Sequence, residues 1–231
     1  AHGGKSQIIT DVVDVPLSMQ GLAKFNIANA LAAVAACYSI GVPISVIKEG
    51  LKGFGRQRKH NPGRCQIYDI GGVKVILDYG HNATAFESVL EFAKRLKPKG
   101  IIGVIGVPGD RRNEDIINTG YVAGKYLDYC IIKEDKDLRG RKSGEIADLL
   151  IRGLLKRDSL QENYQIILDE LTACLFAIKN SKPGDIVVVF YERLIPIQDI
   201  LEKFEKTKII KEIERKIDAD LNKYEKNMII N

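Results

Sequence analysis

Four polar clusters carry residue types that could do chemistry. Asp78-Tyr79-Gly80-His81-Asn82 offers a carboxylate, a phenol and one imidazole in consecutive positions. Gly106-Val107-Pro108-Gly109-Asp110-Arg111-Arg112 sets a carboxylate beside two guanidinium groups. The run Lys133-Glu134-Asp135-Lys136-Asp137-Leu138-Arg139-Gly140-Arg141 mixes acids and bases, and Tyr191-Glu192-Arg193 adds a last carboxylate. Arginine forks match phosphate or carboxylate oxygens two at a time, and carboxylates suit a guanidinium or an ammonium. The mix fits a charged small molecule that carries phosphates.

Each cluster also has a plainer reading. Asp78 could cap a turn, His81 could be a surface residue, Asp135 to Arg141 could be a solvated loop, and Glu192 could merely follow a strand. The elements favour chemistry. Val73–Tyr79, Ile101–Val107, Tyr129–Lys133 and Asp185–Tyr191 read as strands, and each runs straight into one of the clusters. A further strand is predicted over Tyr164–Leu168. Helical segments fall between them: one opened by a Thr84/Glu87 capping box, one capped by Asn113, one over Ser143–Lys156 and one over Glu170–Asn180. That alternation predicts an α/β fold, a Rossmann-like doubly wound, mostly parallel sheet. Ligands of such sheets bind at the carboxyl ends of the strands, so four polar ends would converge on one rim.

Upstream, Gln66–Ile70 and Val73–Tyr79 flank Gly71-Gly72, a two-residue hairpin signal. A helix is predicted from Asn26 to Ile40, stopped by Gly41, and another from Pro43 to Lys52. The Gly- and Arg-rich stretch Gly53 to Arg64 reads as a linker. The predicted domains are 1–60, helical, and 61–231, α/β. The charged segment Ile195 to Tyr224, with Ile200, Phe204, Ile213, Ile217 and Leu221 as its apolar positions, reads as one or two amphipathic helices packed on the sheet or on a partner.

With 231 residues, 45% hydrophobic and 28% charged, the chain has the balance of a globular protein and not of a disordered tail or a disulfide knot. A net charge of +5 with interspersed signs does not point to nucleic acid. The longest apolar stretch, Ile27 to Ile40, is too short to cross a bilayer, and nothing suggests export or a membrane. Cys37, Cys65, Cys130 and Cys174 form no CxxC pair and read as buried thiols in a reducing, cytoplasmic setting, with no metal site. Gly4-Lys5-Ser6 imitates the end of a phosphate-binding loop, but no strand precedes it and no helix follows, so it is rejected.

The motifs Phe25-Asn26-x-x-Asn29-Ala30, Gly63-Arg64, Asp78-Tyr79-Gly80-His81-Asn82 and Gly109-Asp110-Arg111 occur in the order found in the Mur ligase superfamily. Within it, Asn61-Pro62-Gly63-Arg64 and Lys133 to Lys142 resemble the cyanophycin synthetases. The resemblance implies ATP-driven joining of an amino acid to a carboxylate through an acyl phosphate, with Mg²⁺ held mostly by an upstream region. It implies that 1–60 ends a central ATPase domain and that 61–231 is the C-terminal ligase domain, with hinge closure over the linker. Asn29 would contact adenine, Arg64 the phosphates, Asp78 the ribose hydroxyls, and His81 would lie near the phosphates; His81 and Arg64 are the catalytic candidates. Asp135, Asp137, Arg139 and Glu192 would hold the incoming amino acid, arginine in that family, added to an aspartate side chain of a polymer. Lacking the phosphate-binding loop, the isolated chain should not turn over ATP. Its partners would be ATP and an amino-acid or polymer substrate, with a homo-oligomer expected from the helical tail. The runner-up readings are another ligase of the superfamily, acting on folate, poly-glutamate or wall precursors, and a non-catalytic nucleotide-binding, polymer-binding or assembly module.

Overall fold

Apolar residues run through Ile101–Ile105 and Ile186–Phe190, and every position in both is buried. Such strands must be covered on both faces, which winding through helices provides. The computed structural model describes residues 7–156, 163–207, 215 and 217–221, and divides the chain into two units, Ala1–Pro62 and Gly63–Asn231. In the second unit β1 (Gln66–Ile70), β2 (Val73–Asp78), β3 (Ile101–Ile105), β4 (Tyr129–Ile132), β5 (Tyr164–Ile166) and β6 (Ile186–Phe190) form one sheet in the order β1-β2-β6-β3-β4-β5. Only β1 is antiparallel, joined to β2 through Gly71 and Gly72, both at positive φ. The remaining pairs are parallel. The doubly wound α/β sheet expected from the sequence is therefore present.

The last strand is inserted between β2 and β3. Asp78 pairs with Phe190, Val104 with Val189 and Ile105 with Ile132. Four parallel strands thus end side by side, and the four polar clusters share one edge of the sheet.

Side chains alternate between the faces. Val75, Leu77, Val187 and Val189 point into a core closed by Leu171, Leu175 and Ile178 of α6 (Glu170–Asn180) and by Ile197, Leu201 and Phe204 of α7 (Leu194–Lys206). The charged tail packs here as anticipated: Ile217 is buried in this core, Ile200 and Leu221 lie against it, and Lys179 pairs with Asp218. Ile213 lies outside the described residues. The other face carries α3 (Ala83–Arg95), α4 (Asn113–Tyr126) and α5 (Glu145–Leu154). There Phe86 stacks on Phe190, ring centroids 3.7 Å apart and 9° from parallel.

Two helix starts differ from expectation. The cap of α3 is Asn82, whose side chain accepts the Ala85 N–H at 2.9 Å; Thr84 is already helical, and Glu87 turns to Lys125 instead. The chain leaves the rim in extended form only as far as Asn82, so the cap falls two residues early. Asn82→Ala is expected to lower stability by about 1 kcal/mol, read as an earlier urea midpoint. Helix α4 begins at Asn113 itself, and Arg112 makes a two-pronged contact with Asp115 at its first turn.

The first unit holds short 3₁₀ turns, α1 (Lys24–Ser39) and α2 (Ile44–Gly53). Asn26 is the only buried residue of α1, its amide donating to the Leu17 carbonyl at 3.0 Å. Leu31 and Tyr38 stand 64% and 50% exposed. Cys65, Cys130 and Cys174 are buried, but Cys37 on α1 is only half-buried, because that helix turns most of its surface outward. Gly4-Lys5-Ser6 falls outside the described residues. No described helix is long and apolar enough to cross a membrane.

Candidate functional site

The end of β2 builds the first part of the rim. Asp78 is 7% exposed, and its Oδ2 accepts the Cys65 N–H at 2.9 Å. Burial pushes the Asp78 carboxyl above its ordinary value, while the Cys65 and Gly80 amides, Arg64 and His81 pull it back. Arg64 lies over the Tyr79 ring, 5.1 Å from its centroid. Tyr79 in turn faces His81 at 5.5 Å and Tyr191 at 5.6 Å. His81 Nδ1 is 3.1 Å from the Tyr79 carbonyl. A carbonyl only accepts, so Nδ1–H is the donor of this contact and Nε2 is the ring nitrogen left to meet a ligand.

Gly63 explains how Arg64 is delivered. Its φ is +67°, and a Cβ there would collide with the Tyr191 hydroxyl, which donates to the Gly63 carbonyl at 3.0 Å. Burial pushes the Tyr191 phenol up to about 12, so it stays a donor at any working pH. Arg64, Asp78 and His81, predicted together, are together. Asn29 belongs to the first unit, exposed on α1, where it lines an apolar groove of about 580 Å³ with Asn26 and Asn61.

Across the end of β6 lies a second feature, a groove of about 400 Å³. Its walls include Asp135, Glu170 and Glu192, and also Lys136 and Arg193. Glu192 accepts the Lys136 N–H at 2.9 Å. Two of the four residues predicted to hold an amino acid, Asp135 and Glu192, therefore share this groove. Asp137 and Arg139 do not line it. Asp137 accepts the Arg139 N–H, and Arg139 reaches sideways to Asp110 at 2.8 Å. Arg139 has a left-handed backbone, φ +50°, and of this segment only Leu138 lines the groove.

Arg141 ties the β3 loop to the β4 loop. Its guanidinium donates to the carbonyls of Gly109 and Arg111 and to Glu145, at 2.6, 2.7 and 2.6 Å. Glu134 is spent elsewhere: it accepts the N–H groups of Gly144, Ile146 and Ala147 at the positive end of α5.

Sequence reasoning missed two residues here. Lys133 is 1% exposed and lies 2.7 Å from both Asp135 and Glu170. Burial alone would lower its pKa, but the two carboxylates outweigh it and hold the ammonium above its ordinary value. The available signal was a lysine directly after the apolar run Cys130-Ile131-Ile132. Glu170 gave no signal beyond its place at a helix start.

A family model described as "Mur ligase, glutamate ligase domain" matches residues 63–190. The chain is 41% identical over 184 residues to the cyanophycin synthetase of Crocosphaera subtropica, covering 80% of this chain and 21% of that protein. It is 35% identical over 166 residues to the UDP-N-acetylmuramoyl-L-alanyl-D-glutamate–2,6-diaminopimelate ligase of Clostridioides difficile, 71% of this chain and 33% of that one. The chain thus spans about a fifth to a third of these relatives. Among solved structures, E. coli FolC in complex with ADP superposes with a TM-score of 0.58 at 23% identity, over 78% of this chain and 40% of that chain, which shows a shared fold. Fold and sequence agree, and the chain belongs to the Mur ligase family of ATP-dependent ligases, whose glutamate ligase domain it contains.

Proposed function

We propose that this chain is the C-terminal part of an ATP-dependent ligase that joins an amino acid, arginine, to a carboxylate by way of an acyl phosphate. The observation that carries the reading is the acidic groove on the same sheet edge as the buried Asp78 cluster. Asp135, Glu170 and Glu192 line it together with Glu134 and Asp169, against Lys136 and Arg193. A guanidinium substrate needs such partners. On this reading Asp78 accepts from the ribose hydroxyls, Arg64 balances phosphate charge while stacked on Tyr79, and His81 presents Nε2 near the phosphates. ATP supplies the phosphoryl group that activates the acceptor carboxylate. The chain's own part is positioning and charge complementarity.

Asn29, in the first unit, is proposed for the adenine: apolar walls with amide groups suit a planar heteroaromatic ring. The Mg²⁺ ligands are proposed to lie mostly in parts of the relatives beyond the matched span. The same span supports the proposal that this chain alone does not turn over ATP. Units Ala1–Pro62 and Gly63–Asn231 are proposed to be the end of a central ATPase domain and the ligase domain.

The likeness to the diaminopimelate ligase favours a second reading, a wall-precursor ligase. Diaminopimelate ends in an ammonium beside a carboxylate, which could use Arg193 as well as the acids. Thermal melts separate the two. A ligand at 100 times its Kd adds about 2.7 kcal/mol of stability. L-arginine is expected to raise Tm by several degrees, and citrulline, the uncharged isostere, by much less. Equal shifts with both, or a larger shift with diaminopimelate, would remove arginine as the substrate.

A further inference from the structure

We infer that Lys133 and Glu170 are positioning residues that fasten the ends of β4 and β6 to each other and so hold Asp135 and Glu192 at the groove. As to substrate, the inference rests on the amino-acid site proposed above. Lys133 does not line the groove. Its ammonium works from beneath, 2.7 Å from Asp135 Oδ1 and 2.7 Å from Glu170 Oε2. Glu170 also accepts two backbone N–H groups at the end of β6, from Glu192 and, at 3.0 Å, from Arg193. The Glu192 side chain crosses back to the Lys136 N–H at 2.9 Å, one residue beyond Asp135. The ring of contacts is closed: end of β4, start of α6, end of β6, end of β4.

Packing alone does not account for this lysine. Desolvating an ammonium and two carboxylates is costly, and an unbranched apolar side chain would fill the space without that cost. What a charge adds is direction: it fixes which way two carboxylates face. The neighbouring strand is shaped for it, since a Cβ on Gly106 would stand 2.6 Å from Lys133 Cε. The other charged groups nearby have different places. Glu134 serves the start of α5, Asp169 accepts from Thr172, and Lys136 and Arg193 line the groove, where neither side chain is paired with Asp135 or Glu170 among the described residues. Cys174 beneath is neutral, its thiol pushed up by burial and by Glu170. Lys133 thus sets the geometry in which Asp135 and Glu192 meet a cationic substrate.

The test uses the whole chain as wild type, Lys133→Met and Glu170→Gln. Amide hydrogen exchange is followed by NMR, and L-arginine is titrated at about pH 6 and about pH 8, either side of neutrality. The amides of Lys136, Glu192 and Arg193 are expected to exchange about tenfold faster or more in both variants, while those of β3 keep their protection. Arginine affinity is expected to fall about tenfold. In Lys133→Met it should also rise with pH, because Asp135 and Glu170 without their cation share a proton that is lost as pH increases; wild-type affinity should stay flat. A merely structural lysine would not move that pH profile. Unchanged exchange at the three amides in a folded variant overturns the inference, and if Lys133→Met fails to fold, Glu170→Gln decides by the same readout. Faster exchange in a protein that ignores arginine keeps the fastening role and removes the substrate reading. Faster exchange with arginine binding that neither variant disturbs removes the claim that the fastening holds Asp135 and Glu192 for the substrate.

Discussion

Asp78→Asn is expected to lose nucleotide binding by about a hundredfold or more while folding as stably as the wild type. The two effects separate because the carboxylate is maintained against its surroundings. It is buried, and burial raises its pKa. A carboxyl whose folded pKa lies above its unfolded value favours the folded state most when protonated. That contribution is fully present below the unfolded pKa of about 3.9 and is lost as pH rises through the folded value. At neutral pH the ionised group therefore opposes folding. Asparagine keeps an oxygen to accept the Cys65 N–H and carries no charge to desolvate. The urea midpoint of the variant should match or exceed the wild type near pH 7, and the difference should close in acid. Function moves the other way. A ribose diol donates two hydrogen bonds, and a carboxylate accepts both where an amide presents one oxygen and one donor. The checks are ADP titration of this chain and turnover in a full-length ligase carrying the equivalent change. A variant that still binds ADP normally would remove Asp78 from the nucleotide site; one that unfolds would show that the carboxylate is structural.

Much of this rim was legible because strand ends are legible. Apolar runs such as Ile101-Ile102-Gly103-Val104-Ile105 declare buried parallel strands, and polar residues that follow them must lie at the carboxyl edge. Pairing order was not legible. Nothing local in Ile186–Phe190 says that it inserts between β2 and β3, yet that insertion puts Tyr191 beside Tyr79 and Glu192 beside Lys136. Lys133 was hidden for the same reason: it belongs to a charged run, and its partner Glu170 arrives on α6, far along the chain. Asp137 and Arg139 share that run, but their turn sends them to each other and to Asp110. Composition could not distinguish the buried acids of this segment from its solvated ones. Helix caps failed on a finer scale, since Asn82 and Thr84 are both capping residues and only the backbone path selects between them.

Gly153→Ala is expected to destabilise the protein by about 2–3 kcal/mol, against the intrinsic preference of helices for alanine. Gly153 lies near the end of α5, where α5 crosses α4. A Cβ there would strike the Ile117 carbonyl oxygen and stand 2.7 Å from the Tyr121 nitrogen. Gly120 on α4 meets the Leu150 carbonyl in the same way, so the two backbones touch without side chains between them. In an open helix the substitution would gain about 1 kcal/mol from propensity. Here the obstacle is backbone on both sides, which cannot rotate aside, so overpacking outweighs propensity. Relief requires α5 to move off α4, and α5 is also held at its start by Glu134, the residue next to Lys133. The displacement should therefore reach the groove. Alongside the earlier denaturation midpoint, the variant should give a weaker arginine shift than Asn82→Ala, whose lost hydrogen bond lies on α3. A midpoint equal to or later than wild type would mean that α4 and α5 stand further apart than described. An early midpoint with an undisturbed arginine shift would mean that α5 does not position the groove.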